Sequence, residues 1–175
     1  MRAFISIHLP DKAIKKIKKI QKELERQHLF IGKFTKPENL HLTLKFLGEV
    51  SEEKIEKVKE RLSEIDLSKF KARLKQGGVF SETHVRIIWI EIENINELQS
   101  LIDAKLDDLF NKEERFMSHL TIARVKKLKN RQKVVDEVKK IQLDEEFDVG
   151  KFYLMKSFLK QEGPEYKVIE EFELK

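Results

Sequence analysis

The sequence predicts an α+β fold in which two similar halves each contribute a sheet to one cleft. Predicted strands and helices follow one another as strand, helix, strand, helix, strands and then helix, strand, helix, strands. A four-residue pattern also occurs twice, once in each half. It reads His-Leu-Thr-Leu at His41–Leu44 and His-Leu-Thr-Ile at His119–Ile122, and each copy precedes a helical stretch. The repeat predicts that the two halves are a duplication.

The first half contains three predicted strands and two predicted helices. Apolar residues recur with a period of two in the strands and with helical spacing in the helices. Side chains able to accept a hydrogen bond from a free backbone N–H mark the helix starts. In order, these elements are a strand at 2–8, a helix from an Asp11 N-cap to about Gln27, a strand at 30–34, the first motif strand at 40–47 and a helix capped by Ser51.

The second half repeats this scheme and ends in a hairpin. Gly77 and Gly78 interrupt its first strand and predict a turn or bulge there. In order, the elements are strand segments at 70–74 and 79–80, a strand at 85–92, a helix from an Asn96 N-cap through Leu109, the second motif strand at 116–125, a helix capped by Asn130, and a hairpin of 147–159 and 166–174.

The composition excludes several classes of site. The 175 residues fit one domain, 1–175, and contain no Cys, which excludes disulfides, thiolate nucleophiles and Cys-based zinc sites. No apolar run reaches the roughly 18 residues of a membrane-spanning helix, and the N-terminus enters a strand at once. We therefore expect a cytoplasmic monomer without membrane contact. The Lys and Glu content resembles that of proteins from very hot environments.

A net charge of +5 and a pI near 9.2 favour an anionic partner such as RNA. Abundant Lys on a well-solvated surface produces the same excess, so the charge alone does not decide between these interpretations.

The repeated motif has a direct chemical interpretation. In a strand, the His and the Thr two residues later project from one face, while the intervening apolar residues point into the core. Random placement of five His and four Thr in this chain predicts only about 0.1 such pairs. Two facing copies would surround one small anion with two imidazoles and two hydroxyls. The alternative is a pair of unrelated half-buried strands.

Two imidazoles near neutral pH can serve as general base and general acid. The hydroxyls of Thr43 and Thr121 can donate hydrogen bonds to non-bridging phosphate oxygens, whose charge grows in the transition state. A cyclic phosphodiester suits this arrangement, since attack and departure occur on opposite sides of phosphorus. The chemistry requires no metal and no cofactor.

The motifs and their surroundings resemble one family from end to end. The similar segments are Met1–Ile5 through Leu9-Pro10, Pro37–Gly48 and His119–Val125, with weaker similarity at Gly77–Phe80, Leu154–Ser157 and Gly163–Tyr166. They resemble the RNA 2',3'-cyclic phosphodiesterases, also called 2'-5' RNA ligases, of the 2H phosphoesterase superfamily. One departure is Ser118, where the family usually has Pro.

The resemblance implies a bilobal fold with pseudo-two-fold symmetry, one motif per lobe, two antiparallel sheets lining a central cleft and helices on the outside. It implies hydrolysis of RNA 2',3'-cyclic phosphate ends to 2'-phosphate. It makes His41 the proton donor to O3' and His119 the base that activates water; from the residues alone, the two roles are interchangeable. It also implies a minor, ATP-independent 2'-5' ligation of RNA ends, tRNA halves among them.

Three further residues are candidate substrate contacts. The family has an Arg at the position of Arg124 that contacts the phosphate, although strict alternation would point Arg124 away from His119 unless a bulge intervenes. Phe46, at the corresponding place after His41, could stack on the terminal base, but a core position fits it equally well. Lys45 shares the parity of His41 and Thr43 and is therefore expected to reach the phosphate.

Three alternatives stay open. A non-catalytic RNA-end binding module would use the same phosphate pocket without turnover. A metal-dependent hydrolase would need more ligands than two distant His residues. A cyclic phosphodiesterase acting on small nucleotides would share the chemistry but not the RNA substrate.

Overall fold

Nine strands form two antiparallel sheets in the computed structural model, which describes residues 1–175. The strands are β1 Arg2–His8, β2 Phe30–Phe34, β3 His41–Glu49, β4 Phe70–Val79, β5 Ile87–Glu93, β6 His119–Leu128, β7 Gln142–Val149, β8 Lys151–Lys160 and β9 Gly163–Glu173. The helices are α1 Asp11–Arg26, α2 Glu52–Ser63, α3 Asn96–Lys105 and α4 Arg131–Lys139, with a short 3₁₀ turn at Pro37–Asn39.

The two sheets exchange strands between the halves of the chain. The four-stranded sheet has the order β3-β1-β8-β9 and the five-stranded sheet the order β2-β6-β5-β4-β7. Strand β2 thus leaves the first half to join the second sheet, and β8 and β9 return to the first. The predicted α+β fold with two antiparallel sheets is confirmed, and each sheet contains one motif strand. These strands, β3 and β6, contact each other across the cleft.

The helices cover the outer faces of the sheets. Helices α1 and α4 pack on β6 and β4 of the five-stranded sheet, and α3 and α2 pack on β3 and β9 of the four-stranded sheet. In α1 the Gln21 amide donates to the carbonyls of Thr35 and Ile122, at 2.9 Å each, which ties the helix to the second motif strand. Forty buried apolar residues from both sheets form one continuous cluster. None of the four helices combines the length and the apolar character needed to cross a membrane.

Two of the four predicted helix caps are confirmed. The side chains of Ser51 and Asn130 accept hydrogen bonds from the backbone N–H three residues later. The predictions for Asp11 and Asn96 are wrong by one residue, because each is the first residue of its helix and Pro10 and Ile95 occupy the cap positions. Asp11 still places a negative charge at the positive end of the helix dipole.

Two predicted boundaries are also wrong. Helix α3 ends at Lys105 instead of Leu109, because the chain turns at Leu106 and the N–H of Leu109 bonds to the Leu106 carbonyl. The single strand predicted at 147–159 is two strands in different sheets, which separate at Gly150. Apolar alternation continues on both sides of this crossing, so hydrophobicity alone did not reveal it.

Candidate active site

The two motif histidines are held in the same way. The Nδ1 atom of His41 lies 2.7 Å from the Asn39 carbonyl oxygen, and Nδ1 of His119 lies 2.8 Å from that of Met117. A carbonyl oxygen can only accept, so Nδ1 carries the proton in both rings. In the neutral rings, Nε2 is therefore left as the acceptor. Thr43 Oγ1 lies 3.1 Å from Nε2 of His41 and donates to it while that ring is neutral.

The two motif strands also bulge at the same place. Leu44 is skipped in the pairing of β3 with β1, and Ile122 is skipped in the pairing of β6 with β5. After each bulge, the following side chains point to the face opposite the one that strict alternation gives them. The burial of successive residues in β3 and β6 is consequently identical, position by position, over the nine residues from each motif His. This shared irregularity is the strongest structural sign of the duplication.

The bulges decide which residues share the motif face. Arg124, which strict alternation would point away from His119, is exposed on the same face as His119 and Thr121. Phe46, at the matching position of β3, is 65% exposed instead of belonging to the core. The structure therefore brings Arg124 and Phe46 to the cleft side of their strands.

The bulge at Leu44 makes the prediction that Lys45 reaches the phosphate wrong. Its side chain is 2% exposed and points away from the cleft, where Nζ bonds to the Asp103 carboxylate and to the Asn111 carbonyl. Asp103 also accepts from the Gln99 amide and the Glu113 backbone N–H. Strict alternation from His41 places Lys45 on the cleft face, and the bulge at Leu44 moves it to the other face. Lys45 joins β3 to α3 and to the loop that follows it.

The environment of His41 is aromatic and largely dry. Its ring lies 5.0 Å from those of Phe4 and Tyr166, and His8 is its direct partner on β1. The pKa of His41 is lowered to about 4, chiefly because the ring is buried. The hydrogen bond to Asn39 opposes this shift, and the positive charges of His8 and Arg124 add to it. The effect of Arg124 on His41 indicates that β6 brings its guanidinium close to the first motif.

We expect this shift to make folding sensitive to acid. An unfolded His titrates near 6.5, so the unfolded chain binds the proton first and stability falls as pH drops from about 6.5 towards 4. Between about pH 7 and pH 4.5, the titration of His41 should lower the free energy of unfolding by about 2.5 kcal/mol, at about 1.4 kcal/mol per pKa unit. Urea unfolding of wild type and His41→Gln at both pH values measures this difference. An equal acid-induced loss in both proteins would contradict it.

His119 lies in a more open environment. The Phe80 ring meets it edge-on at 4.9 Å, and Phe80 also contacts Trp89, which lies across Gly78. Phe80 is 53% exposed. The sequence analysis did not identify Phe80, Tyr166, Phe4 or the carbonyls of Asn39 and Met117 as parts of the site. Phe80, Tyr166 and Phe4 all lie in segments that resemble the family, Gly77–Phe80, Gly163–Tyr166 and Met1–Ile5, and this similarity was the available signal for them.

A pocket of about 260 Å³ opens beside His41, and Tyr166, His8, Met155 and Val168 belong to its walls. A larger groove of about 450 Å³ lies away from both motifs, between α2 and β9. Four glutamates and a single lysine line that groove, so its charge does not suit a phosphate. The smaller pocket is the one connected with the candidate chemistry.

No three His, Asp or Glu side chains converge as a ligand set for a metal ion anywhere in the 175 residues. The polar groups around the two motifs include imidazoles, hydroxyls and the Arg124 guanidinium. Guanidinium and hydroxyl groups donate hydrogen bonds to phosphate oxygens, and imidazoles exchange protons with leaving or attacking oxygens. The arrangement is suited to acid–base chemistry on a phosphate ester.

Comparison with known proteins agrees with this chemistry. The family model for LigT-like phosphoesterases matches residues 7–89 and 91–166. The RNA 2',3'-cyclic phosphodiesterase of Methanocaldococcus jannaschii is 37% identical over 98% of this chain and 100% of its own length. The enzyme of the same name from Archaeoglobus fulgidus is 38% identical over 99% of this chain and 100% of its own length.

Solved structures show the same architecture. The Thermus thermophilus protein TT0787 superposes with a TM-score of 0.85 at 28% identity, covering 99% of this chain and 97% of its own. Escherichia coli LigT in its apo form gives a TM-score of 0.80 at 22% identity, covering 99% and 96%, which supports the fold alone. On its sequence and its fold, the chain belongs to the LigT-like phosphoesterase family.

Proposed function

We propose that this protein hydrolyses RNA 2',3'-cyclic phosphate ends to 2'-phosphomonoesters without a metal ion, acting as one domain. The main supporting observation is the pair of imidazoles on facing strands, each fixed through Nδ1 so that Nε2 is the reactive nitrogen. The relatives named RNA 2',3'-cyclic phosphodiesterase support the substrate class.

In this proposal, Nε2 of His119 takes a proton from the attacking water, and Nε2 of His41 gives a proton to the departing O3'. Thr43, Thr121 and Arg124 donate to the non-bridging oxygens as their charge grows. Phe46 offers an exposed ring to the terminal base. Lys45 has no part in the site, because its ammonium group is buried against Asp103.

The free protein holds His41 neutral at pH 7, so its role as proton donor depends on the substrate. A bound phosphate brings a negative charge beside His41 and offsets the positive charge of Arg124 that lowers its pKa. Binding therefore raises the pKa of His41 and supplies the protonated form. Protonation of His41 thus depends on substrate binding, so that proton transfer occurs only in the occupied site.

Ligation would use the same groups with a different nucleophile. A 5'-hydroxyl RNA end in place of water would attack the cyclic phosphate, with His119 as its base, and would give a 2'-5' linkage without ATP. We propose this as a minor activity, since water at about 55 M competes with a dilute RNA end. Joined tRNA halves are one product that this chemistry allows.

The test is an assay in EDTA on a short RNA that ends in 2',3'-cyclic phosphate. We expect turnover to persist at the same rate after the metal is removed, because the cleft offers no ligand set. Loss of activity in EDTA and its return with a divalent metal would favour the metal-dependent alternative. Tight binding of the RNA without any product would favour the binding-module alternative.

A further inference from the structure

The cleft face of the five-stranded sheet carries a group of three cations that form no ion pair. Lys33 on β2 lies directly opposite Arg124 on β6, and Ile31 lies opposite Lys127 further along the same strands. Directly opposite residues of antiparallel strands project from one face. Arg124 shares the face of His119 and Thr121, so its partner Lys33 does too. Ile31 is two residues from Lys33 and shares its face, so Lys127, the partner of Ile31, also projects from it. We call Arg124, Lys33 and Lys127 the basic track.

The basic track lacks counter-charges. No ion pair of the molecule includes any of its three residues, and all three are exposed. The opposite edge of the same sheet differs, because Arg73 pairs with Asp144 and Glu146 there, and Lys71 pairs with Asp148. In a chain with 38% charged residues, cations without a neighbouring carboxylate are available to an external anion.

The track has a direction. Glu91 lies opposite His119 on β5, so a carboxylate faces the cleft on the β5 side of the motif. The cations lie on the other side, towards β2. A negatively charged chain held at His119 would therefore leave the site over Arg124, Lys33 and Lys127 and would avoid Glu91.

The track is longer than one phosphate group. Lys126 is bulged out of the pairing, so Lys127 lies two ladder positions from Arg124, about 7 Å along the strand at about 3.3 Å per residue. Ile31, which is 49% exposed, lies on the same face, directly opposite Lys127 and two residues from Lys33. Cations with exposed apolar surface beside them suit a polynucleotide, which presents phosphates together with riboses and bases.

We propose that the basic track binds the RNA backbone on the 5' side of the terminal cyclic phosphate, so that RNA strands rather than mononucleotides are the preferred substrates. This inference rests on the proposed function and deepens it. A cyclic mononucleotide carries a single phosphate, which occupies the motif histidines and Arg124. Lys33 and Lys127 then have no partner unless the substrate continues as a strand.

The experiment compares wild type with Lys33→Gln/Lys127→Gln on two substrates, a 2',3'-cyclic mononucleotide and a single-stranded RNA octanucleotide with the same end. The readout is kcat/KM against KCl concentration. For the octanucleotide, the slope of log kcat/KM against log salt should become shallower by about 1.4 in the variant, at about 0.7 per lost contact. At about 0.1 M KCl, the preference for the octanucleotide should fall about 10-fold.

The matched control is Lys15→Gln/Lys18→Gln, which removes the same charge from exposed positions of α1. Helix α1 packs on the side of the five-stranded sheet opposite the cleft, so this control should behave as wild type. An equal effect of both double variants would overturn the track, because net charge alone would then explain it. Equal kcat/KM and equal salt slopes for the two substrates in wild type would overturn it too, while hydrolysis itself would stand. Hydrolysis of neither substrate would instead overturn the proposed function.

Discussion

Replacing either motif histidine by alanine should lower kcat for a 2',3'-cyclic phosphate RNA by about 10² to 10⁴. Each imidazole has one reactive nitrogen, Nε2, because Nδ1 is committed to the carbonyl of Asn39 or Met117. His41→Ala removes the proposed acid and His119→Ala the proposed base. The two losses should not add in the double variant, since both groups act in one step. Steady-state kinetics with a short cyclic-phosphate RNA measures kcat for the two single variants and the double variant.

Two controls separate catalysis from folding. His28 is exposed and has a positive φ of 51°, which Asn tolerates better than most residues, so His28→Asn should retain full activity. Both motif variants should also unfold cooperatively at neutral pH, because neither histidine belongs to the apolar core cluster. A motif variant with kcat within about threefold of wild type would remove that histidine from the mechanism.

Lys45→Met should destabilise the fold by about 3 to 5 kcal/mol, because it leaves the buried Asp103 carboxylate without its counter-charge. Burial raises the pKa of Asp103, and the hydrogen bonds from Lys45, Gln99 and the Glu113 N–H outweigh that effect, so the pKa is lowered overall. The carboxylate thus stays ionised only while its donors are present. Denaturant unfolding at neutral pH measures the loss.

The double variant Lys45→Met/Asp103→Leu should recover part of this stability, since it removes the unpaired buried charge but leaves the Gln99 amide and the Glu113 N–H without their acceptor. Lys71→Met, which breaks the exposed pair with Asp148, should cost less than about 1 kcal/mol. The double variant should also keep the kcat/KM of wild type, because Lys45 points away from the cleft. A large loss of kcat/KM in a stably folded double variant would return Lys45 to the phosphate site.

The sequence predicted the positions of the motif histidines and threonines because a period of two residues determines the face of a strand over a short stretch. It could not predict Lys45 correctly, because the bulge at Leu44 reverses the faces of the residues that follow it, Lys45 and Phe46 among them, before a second bulge at Leu47. The same reversal at Ile122 brings Arg124 to the cleft. Neither the Leu44 bulge nor the Ile122 bulge has a Gly or Pro signature, so local sequence gave no warning of either.

Strand pairing between residues far apart in the sequence was the other feature that could not be predicted. Hydrophobic alternation located β2, β8 and β9, but it could not assign them to sheets, and they cross between the two halves. The aromatic residues around the histidines illustrate the consequence. Tyr166 reaches His41 only because β9 joins the sheet that contains β3, and no spacing in the sequence relates these two residues.

The most direct test of the two-histidine account is the position of the phosphate in the product. Wild type in EDTA acts on a short RNA with a 2',3'-cyclic end, and the product is mapped by digestion and chromatography against 2'- and 3'-phosphate standards. The account predicts 2'-phosphate alone, formed at least about 10²-fold more slowly by His41→Ala and His119→Ala. A 3'-phosphate product, or RNA that is bound and left intact by wild type, would contradict it.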